Sequence, residues 1–330
     1  MDPDRTQVGV TFAPLMALGL PMALDLARRS EALGYRSFWT AEVNGPEAFA
    51  TLGAVSVAAP RLSLGTGVVA LQLRTPPLLA MAAATLQALA PDRDVLLGIG
   101  ISSPVVAGRW HGAGYGDRPL AQVREFVTLL RACLSGVPVD FEGDFYRVSR
   151  FRLAVRPEAR TPKIIVGALG EQMLRLAGEL ADGVLLNYLP ASHVPWSVEQ
   201  VRKGGDATVY AYVHVGVCDR QDGIDAARRD LFSYATVDSY AHNFTLAGYG
   251  DAVATVRERH QARDREGALA AISDEMVDGI DIMGDAAHVA ARVQAYVDAG
   301  VEVPVVFPLP WGSDRRSIVD ATLRAAKGDF

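Results

Sequence analysis

The stretch 62–100 reads LSLGTGVVALQLRTPPLLAMAAATLQALAPDRDVLLGIG. A β-branched run leads into a helical run, and a second apolar run closes on Gly98-Ile99-Gly100. Polar or conformationally unusual residues follow each one: Gly65-Thr66-Gly67, then Arg74-Thr75-Pro76, then Ser102-Ser103-Pro104. A parallel α/β sheet presents its working residues there, at the carboxyl ends of its strands. The segment predicts a strand–helix–strand unit and, with it, the face on which a ligand binds.

The same alternation runs almost from end to end. Strands are expected over 8–12, 37–41, 62–69, 95–100, 163–167, 183–187, 208–217 and 303–307, and amphipathic helices over 21–33, 78–89, 120–134, 171–180 and 286–299. Gly34 and Gly300 stand where two of these helices need a left-handed stop. Strand–helix repetition forces parallel pairing through crossovers, and eight such units close most naturally as a (β/α)8 TIM barrel. A doubly wound open sheet is the alternative, since pattern does not fix strand order. Two stretches interrupt the alternation: 102–161, with a small hairpin around Asp140–Arg147, and 219–284, mostly helical. Both read as insertions, after strand 4 and between strands 7 and 8, in one domain spanning 1–330.

Composition narrows the function. Of 330 residues, 50% are apolar and 21% charged, which fits a packed enzyme and argues against disorder. A net charge of −6 gives no electrostatic reason to expect nucleic acid. The apolar runs are shorter than the ~20 residues of a membrane span, or are broken by Pro, Gly or charge. Cys133 and Cys218 lie far apart without CxxC spacing, so neither a disulfide framework nor a thiolate metal site is expected. The start, MDPDRTQVGV, lacks a leader pattern, and a reducing cytoplasm is the expected compartment. The histidines at 111, 193, 214, 242, 260 and 288 show neither HxH nor HExxH spacing, so no metal is expected, and no GxSxG nucleophile motif is present.

An ordered set of segments resembles the bacterial luciferase-like superfamily of flavin and deazaflavin oxidoreductases, in particular its coenzyme F-420-dependent branch. It comprises GYRSFWTAE at 34–42, GTGV at 65–68 with Arg74-Thr75-Pro76, LGIG at 97–100, Trp110-His111-Gly112, LRLAGELADG at 174–183, and Ala299-Gly300-Val301. The resemblance implies a barrel holding a flat redox ring at the strand ends, and often a homodimer. It also implies a bulge after the third strand, often with a non-proline cis peptide behind the ring, which maps to Gly67-Val68. The cofactor implied is coenzyme F-420, with FMN as the alternative, and the activity is hydride transfer to or from a small organic substrate. An FMN-dependent monooxygenase and a cofactor-binding homologue with little catalysis are the rival readings.

Candidate residues follow. Gly67 and Val68 would support the ring. Gly98 and Gly100 either make a tight turn or let the cofactor or Ser102-Ser103 approach the backbone. Gly167, Ala168 and Gly170 precede a helix whose N-terminal N–H groups suit a phosphate. Glu42, Asn44 and His111 are candidate polar groups near the substrate, His111 because imidazole titrates near neutrality. Arg74 would contact an acidic tail or make loop hydrogen bonds. The chain departs from better-known relatives in two places: Val43 stands where histidine often follows the acidic residue, and Ser103 aligns with a glutamate.

Overall fold

A computed structural model describes residues 7–155 and 160–329. Residues 1–6, read above for a leader, and 156–159 of the first insertion lie outside the described residues. Eight parallel strands form a ring: β1 (Gly9–Thr11), β2 (Ser37–Thr40), β3 (Ser63–Thr66), β4 (Val95–Gly100), β5 (Lys163–Gly167), β6 (Gly183–Leu186), β7 (Thr208–Val217) and β8 (Val303–Pro308). Each pairs with the next in chain order, and β8 returns to β1 with Val305 opposite Gly9. The sheet is therefore a closed barrel, and the open-sheet alternative is excluded.

Both faces of these strands are buried, which is why they read as unbroken apolar runs. Trp39, Leu96, Ile165, Leu185, Tyr210 and Tyr212 point inward and fill the barrel. Phe38, Leu97, Ile164, Val166 and Val184 belong to the larger core between strands and helices. Trp39 is fully buried, donates from Nε1 to Ser37 Oγ at 2.9 Å, and lies 5.3 Å from the Tyr210 ring. A side chain at Gly65 would strike that indole, so the small residue on β3 complements the large one on β2.

The helix ends behave as read. Gly34 and Gly300 take φ of 77° and 113°, and Thr75 caps helix Pro76–Leu89 by accepting from Leu78 N–H. The third strand does not. Expected to run through 69, it stops at Thr66; the Gly67–Val68 peptide is cis, and Val69–Ala70 continues as a separate short strand against Ile99 and Gly100. A further short strand, Ile282–Gly284, lies along the upper end of β7.

The first insertion carries the hairpin Val139–Glu142/Arg147–Phe151. The second is helical: Arg220–Ala235, Asp238–Phe244, Gly250–Gln261, Arg265–Ala270 and Asp274–Ile280. It builds its own apolar cluster around Leu231, Phe244, Val256, Ile272 and Met276, which Tyr188 and Leu309 from the barrel rim join. Cys133 is buried, Cys218 half-buried, and both are free thiols.

The bulge dictates the residue at 98, because a Cβ there would collide with the Thr66 carbonyl. Backbone faces backbone at this contact, so Gly98→Ala is expected to cost about 3 kcal/mol in urea denaturation. Gly53, in helix Ala48–Ala58, has nothing within 4 Å of its would-be Cβ, and Gly53→Ala should gain about 0.5–1 kcal/mol. Equal stability of the two variants would refute the packing argument.

Candidate active site

A cleft of about 280 Å³ opens over the carboxyl ends of the strands. Its floor is the bulge. Val68 stands between Gly100 and Gly167, its methyl carbons 2.9 and 3.1 Å from where their Cβ atoms would be. Neither strand could carry a side chain there without displacing Val68. Tyr212, on β7, props the bulge from below by donating its hydroxyl to the Gly67 carbonyl at 2.8 Å. Thr11 Oγ1 donates to the same phenol oxygen at 3.3 Å. Gly67 N–H donates to the Thr40 carbonyl at 2.7 Å, and Glu42 N–H to the Val68 carbonyl at 3.3 Å.

Loops complete the cleft. After β4 come Ile101, Ser102 and Ser103. Ser102 N–H donates to Gln72 Oε1 at 3.3 Å, and Ser103 Oγ accepts from Val106 N–H at 3.2 Å. After β5, Gly167-Ala168-Leu169-Gly170 leads into helix Glu171–Leu180, whose N-terminus has no side-chain cap. Space beside Gly170 is open. Uncapped N–H groups and the positive end of the helix dipole make this the place for an anion. Tyr115 and Pro119 form one wall, and Val237, Ser239 and Tyr240 from the second insertion form another. Among the described residues, none that lines the cleft carries a charge.

Behind the wall lies a polar chain. Asn187, just past β6, lines the cleft, and its Oδ1 accepts from Tyr188 N–H at 3.0 Å. The same oxygen is 2.9 Å from His214 Nε2, and His214 Nδ1 is 3.0 Å from Asp281 Oδ1. His214 stacks on Phe307 with centroids 4.0 Å apart. Tyr188 takes a left-handed φ of 51° and donates its hydroxyl to Asp230 Oδ2 at 2.8 Å. Burial pushes His214 down to about 4, raises the Asp281 carboxyl well above its usual range, and, with Asp281 nearby, lifts Asp230 to about 7. Tyr240 is raised to about 12, chiefly by burial. His214 and Tyr240 are therefore neutral at neutral pH, burial favours the protonated form of Asp281, and Asp230 stands near the midpoint of its titration.

The sequence-expected residues divide sharply. Gly67, Val68, Gly100, Ser102, Ser103, Gly167, Ala168 and Gly170 all line the cleft. Gly98 does not; its bareness serves the Thr66 carbonyl beneath the floor. Glu42, Asn44 and His111, expected near a substrate, lie outside the cleft. The Glu42 carboxylate is committed to Arg74 through paired contacts at 3.0 and 2.5 Å, so Arg74 makes loop contacts, including one to Glu47. Asn44 is exposed, and His111 Nε2 contacts the Val43 carbonyl. Sequence reading missed Asn187, Tyr212 and Tyr240. It also passed over His214, Asp230 and Asp281, a group of metal-ligand type, although both nitrogens of His214 already have protein partners. A histidine inside the apolar strand TVYAYVHVGV was the available signal.

The sequence pattern of the luciferase-like monooxygenase family fits residues 9–302. A 5,10-methylenetetrahydromethanopterin reductase of Archaeoglobus fulgidus is 29% identical over 334 residues, covering 94% of this chain and 96% of its own. A coenzyme F-420-dependent glucose-6-phosphate dehydrogenase of Nocardia farcinica is 28% identical over 292 residues, covering 84% and 81%. In fold, the chain superimposes on the coenzyme F-420-dependent tetrahydromethanopterin reductase of Methanopyrus kandleri with a TM-score of 0.80 at 20% identity, over 98% of both chains.

The half-buried carboxyl at 230 makes stability depend on pH. Folded, it keeps its proton up to about pH 7; unfolded, it releases it near its usual value of about 4. Its contribution is therefore full below pH 4 and lost as pH rises through 7. His214, with its lowered value, pulls the other way between about 4 and 6.5, so the wild-type profile is partly cancelled. Asp230→Asn removes the part of the fall that this carboxyl contributes, leaving the contributions of His214 and Asp281 in place. Between about pH 4.5 and 7.5 the variant should gain about 2–3 kcal/mol relative to wild type, a figure tempered by the partial exposure of Asp230. Urea denaturation at both pH values measures the difference.

Proposed function

The chain belongs to the luciferase-like monooxygenase family, and from that premise we propose that it binds coenzyme F-420 in the cleft and transfers hydride between the deazaflavin and a neutral organic substrate. One observation carries the reading: a glycine-flanked bulge forms a flat floor, next to an uncapped helix N-terminus, in a cleft lined without charge. The coenzyme F-420 dependence in the name of the N. farcinica relative supports the choice of cofactor over FMN.

When bound, the deazaflavin supplies the hydride-carrying carbon. The protein's residues do the positioning. Gly67 and Val68 would lie under the ring and Gly100, Ser102 and Ser103 along its edge, while Gly167, Ala168 and Gly170 would line the phosphate side, where the uncapped N–H groups of helix Glu171–Leu180 would be the donors. The apolar walls exclude water, which strengthens each remaining hydrogen bond and holds reactants in an attacking geometry. A cleft without charge selects an uncharged reacting group, a carbonyl or imine, because an unpaired ion would be costly to bury there.

Fluorescence titration with coenzyme F-420 and, separately, with FMN tests the proposal. Tighter binding of coenzyme F-420 is expected; preference for FMN would favour an FMN-dependent monooxygenase, and tight binding without turnover of any carbonyl or imine would favour a non-catalytic homologue. Gly170→Asp gives the finer test, since aspartate suits an N-cap and has room there. The variant should fold normally yet bind coenzyme F-420 at least about tenfold more weakly, because its carboxylate occupies the anion site.

Assembly and context belong to the same proposal. Val57, Leu78, Met81 and Leu89 are exposed on the packed helices Ala48–Ala58 and Pro76–Leu89. Apolar exposure of this kind supports a homodimer. Sedimentation velocity should give twice the chain mass, and Met81→Glu should shift it toward the monomer. The two free thiols support a cytoplasmic setting, and the barrel with its two insertions supports reading 1–330 as one domain. No helix of the described residues is long and apolar enough to cross a membrane.

A further inference from the structure

A single backbone group fixes the hydrogen positions of the buried chain behind the cleft. Tyr188 N–H can only donate, so the Asn187 atom 3.0 Å away is the carbonyl oxygen, not the amide nitrogen. That same oxygen faces His214 Nε2 at 2.9 Å, so Nε2 carries a hydrogen. His214 Nδ1 is then either a lone pair facing a protonated Asp281 or an N–H facing a carboxylate, at 3.0 Å. His214 and Asp281 are 1% and 0% exposed, and Asp281 Oδ2 has no partner. An unpaired oxygen is tolerable on a neutral acid and expensive on a buried carboxylate, so the pair is uncharged. The groups facing it are Tyr188, Asp230, Asn187 and the Phe307 ring, none of them cationic.

With both lone pairs of Oδ1 taken, Asn187 has only its Nδ2 hydrogens left, and it lines the cleft. Tyr240, also in the cleft wall, feels the Asn187 amide as a hydrogen-bond donor, so one amide hydrogen turns to the phenol and the other is left for a ligand. The amide cannot turn round without setting donor against donor at Tyr188 N–H. We propose that Asn187 is a fixed hydrogen-bond donor to a carbonyl oxygen bound in the cleft, of the coenzyme ring or of the substrate, and that the neutral His214–Asp281 pair is the positioning device that holds it in that orientation. The identity of the carbonyl rests on the deazaflavin reading above; the orientation of the amide does not.

The orientation is tested first on the protein without cofactor. Nitrogen-15 NMR should show His214 as a neutral imidazole with its hydrogen on Nε2, unchanged from about pH 5 to 8. An imidazolium, or a hydrogen on Nδ1 alone, overturns the proposal. Asp281→Asn can still donate to Nδ1 and should keep this signature, whereas Asp281→Leu should lose it. Failure of the asparagine variant to rescue also overturns it.

The ligand is tested next, by equilibrium binding of oxidised coenzyme F-420 and, to the coenzyme-loaded protein, of cyclohexanone and acetone as neutral carbonyl probes. Asn187→Ala and His214→Phe should each weaken one of the two by about tenfold, the loss expected for one directed hydrogen bond in a dry site. Weaker coenzyme binding assigns the donor to the ring; unchanged coenzyme binding with weaker ketone binding assigns it to the substrate. No change in either, or no ketone binding to wild type with coenzyme binding unaltered, overturns the assignment. If wild type binds no coenzyme F-420, the cofactor reading fails while the NMR result still decides the orientation.

Discussion

The intrusion of Val68 into the mouth of the barrel is the constraint around which the rest is arranged. A closed eight-stranded barrel is normally filled by side chains, leaving little room at its end for a ligand. Here β3 breaks off at Thr66, turns across the opening, and resumes as Val69–Ala70 against β4. The turn fits only because β4 and β5 are bare where it crosses, at Gly98, Gly100 and Gly167. It holds its height because Tyr212 donates to the Gly67 carbonyl from within the barrel. Three strands and a phenol thus cooperate to make one flat surface, and the cleft above it follows from that.

Much of this was legible in the chain itself. Period, length and glycine stops located the eight strands, and the residues expected at the ends of the runs 95–100 and 163–167 lie in the lining of the cleft. The bulge was not derivable from pattern, since a β-branched run with two glycines still reads as a continuous strand; only the family resemblance placed it. Glu42 and His111 stand out in the sequence because charge and titration near neutrality are properties of a residue type. What decides their role is the nearest partner, and Arg74 and the Val43 carbonyl are partners that sequence does not reveal. His214 and Asp281 stand 67 positions apart, and their meeting depends on Asp281 closing the insertion just before the strand that pairs with β7.

Two electrostatic regimes coexist in the molecule. The surface carries ion pairs of the ordinary exposed kind, Arg124 with Glu179 and Arg220 with Asp278 among them, which contribute little each. The interior behind the cleft uses the opposite strategy: a histidine, phenols and carboxyls whose charged forms burial disfavours, linked by hydrogen bonds. Such a network supplies direction without field, because a satisfied neutral chain fixes where hydrogens point while adding no net charge. That suits a cleft with no ion in its walls.

The cleft is assembled from parts with different obligations. Its floor comes from strands whose residues are locked by their neighbours, so almost any exchange there disturbs the barrel. One wall, with Val237, Ser239 and Tyr240, comes from an insertion that has an apolar cluster of its own. Drift in that helical annexe can recontour the opening while leaving the seat beneath it intact. A lineage built this way can exchange one reactant for another and still keep the same redox partner.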